Sequence, residues 1–235
     1  GLSNTCTGLL SAYVDRIPMI VLSGQAQSKY LKYDDLRIFG PQAISAKTLF
    51  GNFIDVKEVS KSTSSNEVIS FLQKTSFLPY GPRLLQVPLD LQKMSLKIDS
   101  TKHSEEKIET SRSSYQSFIE EIKSSLINAK RPVLILGGGA RTEKCANSLV
   151  RLLKSHQIPI TLTWTAKDLL PYDNKNFCGL PGYFCNRAAN ASLYHADLIV
   201  SIGSRLDPLQ MGYQPDEFFK SKRIIVVDLD EGELK

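Results

Sequence analysis

The chain is poor in the residues that staple or metallate small folds. Its four cysteines, Cys6, Cys145, Cys178 and Cys185, form no CxxC pair. That excludes a zinc ribbon and a thioredoxin-like redox centre, and free thiols of a reducing compartment are expected. His103, His156 and His195 stand too far apart for metal-ligand spacing, so no metal site is expected within these residues. No apolar run approaches the ~18 residues of a membrane span, and no signal peptide opens the chain. A cytoplasmic protein without membrane contact is the expectation. Basic residues exceed acidic ones by only 29 to 24, a net charge of +5. With no basic stripe interleaved with aromatics, nucleic acid is not an expected partner. Also missing are a GxGxxG fingerprint, a Ser–His–Asp or Cys–His pairing, and paired carboxylates for glycosidic chemistry.

What is present is ordinary globular material. With 42% hydrophobic residues over 235 positions, the chain can bury a core without disulfide or metal. Short continuous apolar runs recur at Met19-Ile20-Val21-Leu22, Leu84–Val87, Val133–Leu136, Ile158–Leu162, Leu198–Ile202 and Ile224–Val227. Such runs suit strands buried on both sides of a parallel sheet. Helical spacing is read over Thr5–Arg16, Asn66–Thr75, a segment starting near Ser113, and Arg141–Ser155. Between Gln92 and Arg112 large apolar residues nearly vanish among Lys, Ser, Glu and Thr, the composition of a solvated linker. Strands alternating with helices predict an α/β protein of two doubly wound, mostly parallel-sheet domains, over residues 1–91 and 113–235, joined by a linker at 92–112.

The candidate sites sit at strand ends. Gly137-Gly138-Gly139 follows one strand and precedes a helix, where bare backbone can approach a pyrophosphate; a tight strand-to-helix turn is the alternative. Gly203 and Arg205 follow another strand, where Arg205 could face a phosphate or pair with Asp207. Asp228 closes the last strand and could accept a ribose hydroxyl or cap the Glu-rich turn after it. Gln25, at the end of Ser23-Gly24-Gln25, offers a donor and an acceptor in a common loop ending.

The order of these pieces resembles the thiamine-diphosphate-dependent enzymes, in particular the acetohydroxyacid (acetolactate) synthase type. Gly-Leu-Ser-Asn-Thr (1–5), a helix, and Pro18 through Ser23-Gly24-Gln25 are similar to the second half of that family's pyrimidine-binding domain. Phe39-Gly40-Pro41-Gln42 resembles its aromatic-containing loop, and Gly81-Pro82 with Val87-Pro88-Leu89-Asp90 its closing strand. Arg131-Pro132 through Gly139, Thr163-Trp164, Asp168-Leu169-Leu170-Pro171, Gly179-Leu180-Pro181-Gly182, Gly203 to Asp207 and Val227 to Asp230 resemble its central domain, in order and spacing. The wording around Thr163 and Gly203 is closest to acetolactate-synthase-like proteins of surface-polysaccharide pathways. Ala43 departs from the Gln-Glu of many synthases at this point, which leaves the substrate open.

The resemblance implies an enzyme in which thiamine diphosphate, held with Mg²⁺, lets a 2-keto acid lose CO₂ and then take up a proton or a second carbonyl. Asn4 would hold the turn around the aminopyrimidine, and Gln25 would bond the substrate carbonyl or intermediate. The central domain would bind FAD or another adenine nucleotide at Gly137, Gly138, Gly139, Gly203, Arg205 and Asp228, or carry an emptied site. The family's activating glutamate is expected upstream of Gly1 and its GDG…NN metal motif in a further domain after Lys235. The chain is therefore expected to be inactive alone and part of a homodimer or tetramer when intact. The rival reading is a non-catalytic nucleotide-binding or assembly α/β module.

Overall fold

The computed structural model describes residues 2–31, 43–76, 80–95, 115–141, 148, 151, 157–183 and 185–234. The expected helix at 141–155 and the loop at 39–42 fall largely or wholly outside them, as do His103, Cys145, His156 and most of the 92–112 span. The chain forms two compact units, Gly1–Glu106 and Lys107–Lys235.

In the first unit, helix α1 (Cys6–Val14) leads into strand β1 (Met19–Gln25). Helix α2 (Ala46–Phe50), β2 (Asp55–Glu58), α3 (Ser65–Gln73) and β3 (Pro82–Pro88) follow. The strands make a parallel sheet in the order β1-β3-β2. α3 starts where Ser64 and Glu67 form a reciprocal capping box that satisfies two otherwise unpaired amides. α1 and α2 cover one face, packing Leu9, Ala46 and Phe50 on Leu84, Val21 and Val56. On the other face Phe71 of α3 lies against Arg83 of β3, and Lys57 of β2 pairs with Glu67.

One expectation is corrected here. β1 is not buried on both sides: Ile20 and Leu22 are 45% and 70% exposed. The reason is topological. β1 is an edge strand and α3 contacts the β2–β3 side, so among the described residues Ile20 and Leu22 are only partly covered. Together they leave roughly 2–3 kcal/mol of apolar burial unrealised.

The second unit matches its sequence pattern more closely. Helix α4 (Gln116–Asn128), β4 (Pro132–Leu136), β5 (Ile160–Leu162), β6 (Phe177–Gly179), α5 (Arg187–His195), β7 (Leu198–Ile202), α6 (Pro208–Met211), α7 (Pro215–Phe219) and β8 (Arg223–Val227) follow in order. The five strands are parallel in the order β6-β5-β4-β7-β8. Alternate residues of β4 enter different cores. Leu134 and Leu136 join Phe118, Ile122 and Leu126 of α4, while Val133 and Ile135 join Leu193 of α5 with Phe218 and Phe219. A strand apolar at every position is what two helical layers require.

Candidate functional site

Most of the candidate residues lie at or just beyond the carboxyl ends of the strands in each unit. In the second unit, the turn after β4 and the turn after β7 pack backbone against backbone. The Gly137 amide donates to the Ile202 carbonyl at 2.9 Å, and the Gly139 amide to the Gly203 carbonyl at 3.1 Å. Gly203 donates to the Val227 carbonyl at 2.8 Å, and Thr163 to Leu136 at 3.0 Å, so four strand ends are tied together. A Cβ on Gly137 would stand 1.9 Å from the Gly203 carbonyl oxygen. Gly203 sits at φ +60°, and a Cβ there would meet Gly139 at 2.6 Å. These glycines are needed for a close approach of two chain segments. The amides of Gly137 and Gly139 are spent on backbone carbonyls.

Arg205 is exposed beyond this turn. Asp207 caps α6, its carboxylate accepting from the Leu209 and Gln210 amides at 2.9 and 3.2 Å. Asp228 accepts from the Asp230 amide at 2.9 Å, making the turn that ends β8. Two residues outside the candidate site set join the same strand ends. Arg141 donates to the Thr165 carbonyl at 3.0 Å and forks onto Asp168. Those hydrogen bonds from Arg141 hold the Asp168 carboxyl below its usual range.

A group depressed in the folded state adds stability above its unfolded pKa, which is then lost as pH falls through the folded value. The stability difference between wild type and Arg141→Met should therefore be constant above about pH 5 and narrow below about pH 4. Urea midpoints across that range test this, and a gap independent of pH would remove the pair from the acid limb. The effect is modest, since both side chains are about half exposed.

In the first unit, each strand sends one side chain to a single segment. The Gln25 amide nitrogen donates to the Ile44 carbonyl at 2.8 Å, and its oxygen accepts from the Ala26 amide at 2.8 Å. Gln86, only 2% exposed, accepts from the Ala46 amide at 3.2 Å. Glu58 accepts from the Ser45 hydroxyl at 2.6 Å and the Lys47 amide at 3.2 Å. Ser45 in turn caps α2 through the Thr48 amide. Residues 44–47 are thus strapped to β1, β3 and β2 at once. Beside the straps lies a cleft of about 290 Å³, walled by Gln25, Glu58 and Gln86 together with Ser28 and Lys61. Ser28 is itself held by Asp90, which accepts from its amide and hydroxyl at 2.8 and 3.0 Å. Asn4 lies in the turn Leu2–Thr5 ahead of α1, exposed, and its side chain has no hydrogen-bond partner among the described residues.

Two units, each built on a parallel sheet, agree with the comparison to known proteins. Residues 119–235 match the model of the thiamine pyrophosphate enzyme central domain. Over these residues the chain belongs to the thiamine pyrophosphate enzyme family. It is 30% identical over 237 residues to the acetolactate synthase isozyme 1 large subunit of Escherichia coli, matching 100% of this chain and 40% of that protein. To the acetolactate synthase large subunit of Haemophilus influenzae it is 26% identical over 233 residues, 98% of this chain and 40% of the relative. The corresponding subunit of Lactococcus lactis is 25% identical over 235 residues, again 100% and 40%. The chain spans about two fifths of the length of these relatives. Among its described residues no cluster of His, Cys, Asp or Glu could hold a metal ion, and no helix is long and apolar enough to cross a membrane.

Proposed function

We propose that this chain is an interior part of a thiamine-diphosphate-dependent enzyme acting on a 2-keto acid, and that it does not turn over alone. The observation that carries the reading is the match along nearly the whole chain to two fifths of acetolactate synthase large subunits. Residues 1–91 would be the later part of a pyrimidine-binding domain, 92–112 the linker and 113–235 the central domain. Thiamine diphosphate, when bound, supplies a carbanion that cleaves or joins bonds next to a carbonyl. In this reading Gln25, held by its bond to Ile44, lines the substrate cleft, and Asn4 lies at the same strand-end side, since α1 runs back from there into β1. Mg²⁺ has no site among the described residues, so the diphosphate and its metal would be held by a further domain. The intact enzyme would be a cytoplasmic homodimer or tetramer, and the wording near Thr163 and Gly203 supports a role in surface-polysaccharide synthesis.

The test has two arms. The purified 235-residue chain with thiamine diphosphate, Mg²⁺ and pyruvate should release no CO₂, while a longer protein carrying it should release CO₂ from a 2-keto acid. Cofactor-dependent release by the short chain would overturn its incompleteness; none by the longer protein with any 2-keto acid would overturn the activity.

The central unit is read here as folding without flavin. Gly137 and Gly139 serve backbone packing, and their amides are unavailable to a pyrophosphate. FAD, ADP and NAD should therefore leave its unfolding midpoint unchanged. A nucleotide at about 100 times its Kd would add roughly 2.7 kcal/mol, and a rise of that kind would restore the nucleotide site.

A further inference from the structure

We propose that a cleft at the amino ends of β7 and β8 binds an aromatic anion, a ligand joining an aryl ring to a phosphate or carboxylate. The cleft is about 680 Å³, lined by Tyr194, Met211, Tyr213, Phe218, Lys220 and Lys222, with Glu217, the loose partner of Lys220, also on its wall. That size suits a small organic ligand. Tyr194 lies in the last turn of α5, just before β7, and Lys220 and Lys222 come just before β8. The cleft therefore lies at the opposite end of the sheet from the glycine turns and is not part of the strand-end site.

Lys222 decides the chemistry. Four cations of this unit take carboxylates: Arg141 with Asp168, Arg223 with Glu121, Lys123 with Glu120, and Lys220 loosely with Glu217 at 3.9 Å. Lys222 does not. It is half-buried, and its Nζ lies 5.6 Å from the ring centroids of both Tyr194 and Phe218. Among the described residues no carboxylate lies within ion-pair distance of it. Ring faces attract a cation through their quadrupole but do not neutralise it, so its N–H donors remain available to an anion. Ser221, at φ +62°, separates the two lysines in a tight turn anchored by the bond from the Lys222 amide to the Phe219 carbonyl at 3.2 Å. Tyr213, 77% exposed, and Met211 offer an apolar surface beside the charges. A ligand with both an anion and a ring uses the lysines and that surface together.

Calorimetric titration of the 235-residue chain with phenyl phosphate and with benzoate tests this, the two arms separating phosphate from carboxylate as the anionic group. Saturable binding of at least one is expected. Inorganic phosphate and benzyl alcohol, each with half of the ligand's features, should bind at least about tenfold more weakly. Lys222→Met should lower affinity about tenfold, and Lys130→Met, at an exposed lysine elsewhere in the unit, should leave it unchanged. Tyr213→Ala provides a second variant at an exposed position, with a several-fold loss expected. Inorganic phosphate binding as tightly as phenyl phosphate would reduce the cleft to a non-specific cationic surface and overturn the proposal. So would undiminished affinity in both Lys222→Met and Tyr213→Ala, or no binding of either aryl anion.

Discussion

Gly137→Ala is expected to destabilise the second unit by about 3 kcal/mol, the upper end of what overpacking costs a close-packed interior. The added methyl would stand 1.9 Å from the Gly203 carbonyl oxygen, and the atoms it meets are backbone that cannot rotate away. Relief requires the β4 and β7 turns to part, which breaks the Gly137–Ile202 and Gly139–Gly203 bonds. The unfolding midpoint of that unit should fall by roughly 10 °C. Gly203→Ala adds the penalty of a left-handed conformation to a 2.6 Å contact with Gly139. Because both substitutions part the same two turns, the double variant should cost less than the sum of the singles. Gly8→Ala is the contrast. It lies on the exposed side of α1 with nothing within 4 Å of its Cβ, and should stabilise the first unit by about 0.5–1 kcal/mol. A Gly137→Ala protein that melts like wild type would show that these turns separate at no cost.

The same glycines mark what could be read from sequence and what could not. The apolar runs located six of the eight strands among the described residues, because central parallel strands such as β4 and β7 are mostly apolar along their length. β2 and β6 escaped: Asp55-Val56-Lys57-Glu58 is mostly polar, and Phe177-Cys178-Gly179 is three residues long. β1 carried the same apolar pattern as β4, yet one of its faces is open, since a run of large apolar residues does not say how many neighbours the strand will have. Gly137-Gly138-Gly139 was visible as a strand-end turn, but its partner was not. That a second turn at Gly203 spends two of its amides is a tertiary fact no local pattern encodes. The straps on residues 44–47 were missed for a related reason. A signal did exist in Gln86, a lone polar residue inside Leu84-Leu85-Gln86-Val87, which when buried must find a hydrogen-bond partner.

Gln25→Ala in an intact enzyme carrying this chain is expected to lower kcat/KM by about 30- to 1000-fold, the range for removing a hydrogen-bonding group aimed at developing charge. The geometry sharpens how that loss should arise. Both ends of the Gln25 amide are engaged, with the Ile44 carbonyl and the Ala26 amide, so the side chain is held rigidly at the mouth of the cleft. Rigid placement makes a donor or acceptor effective without reorganisation during the reaction. Alanine removes the group and also frees Ile44 from β1. Ser45→Ala separates the two effects. It cuts the neighbouring strap to Glu58 and the α2 cap while leaving Gln25 in place, and should cost about 1 kcal/mol of stability. If Gln25 acts on the substrate, Gln25→Ala loses kcat/KM and Ser45→Ala stays within a few-fold of wild type. If Gln25 is only a strap, the two variants lose activity alike, in proportion to their loss of stability. Unchanged kinetics in Gln25→Ala would remove it from the site altogether.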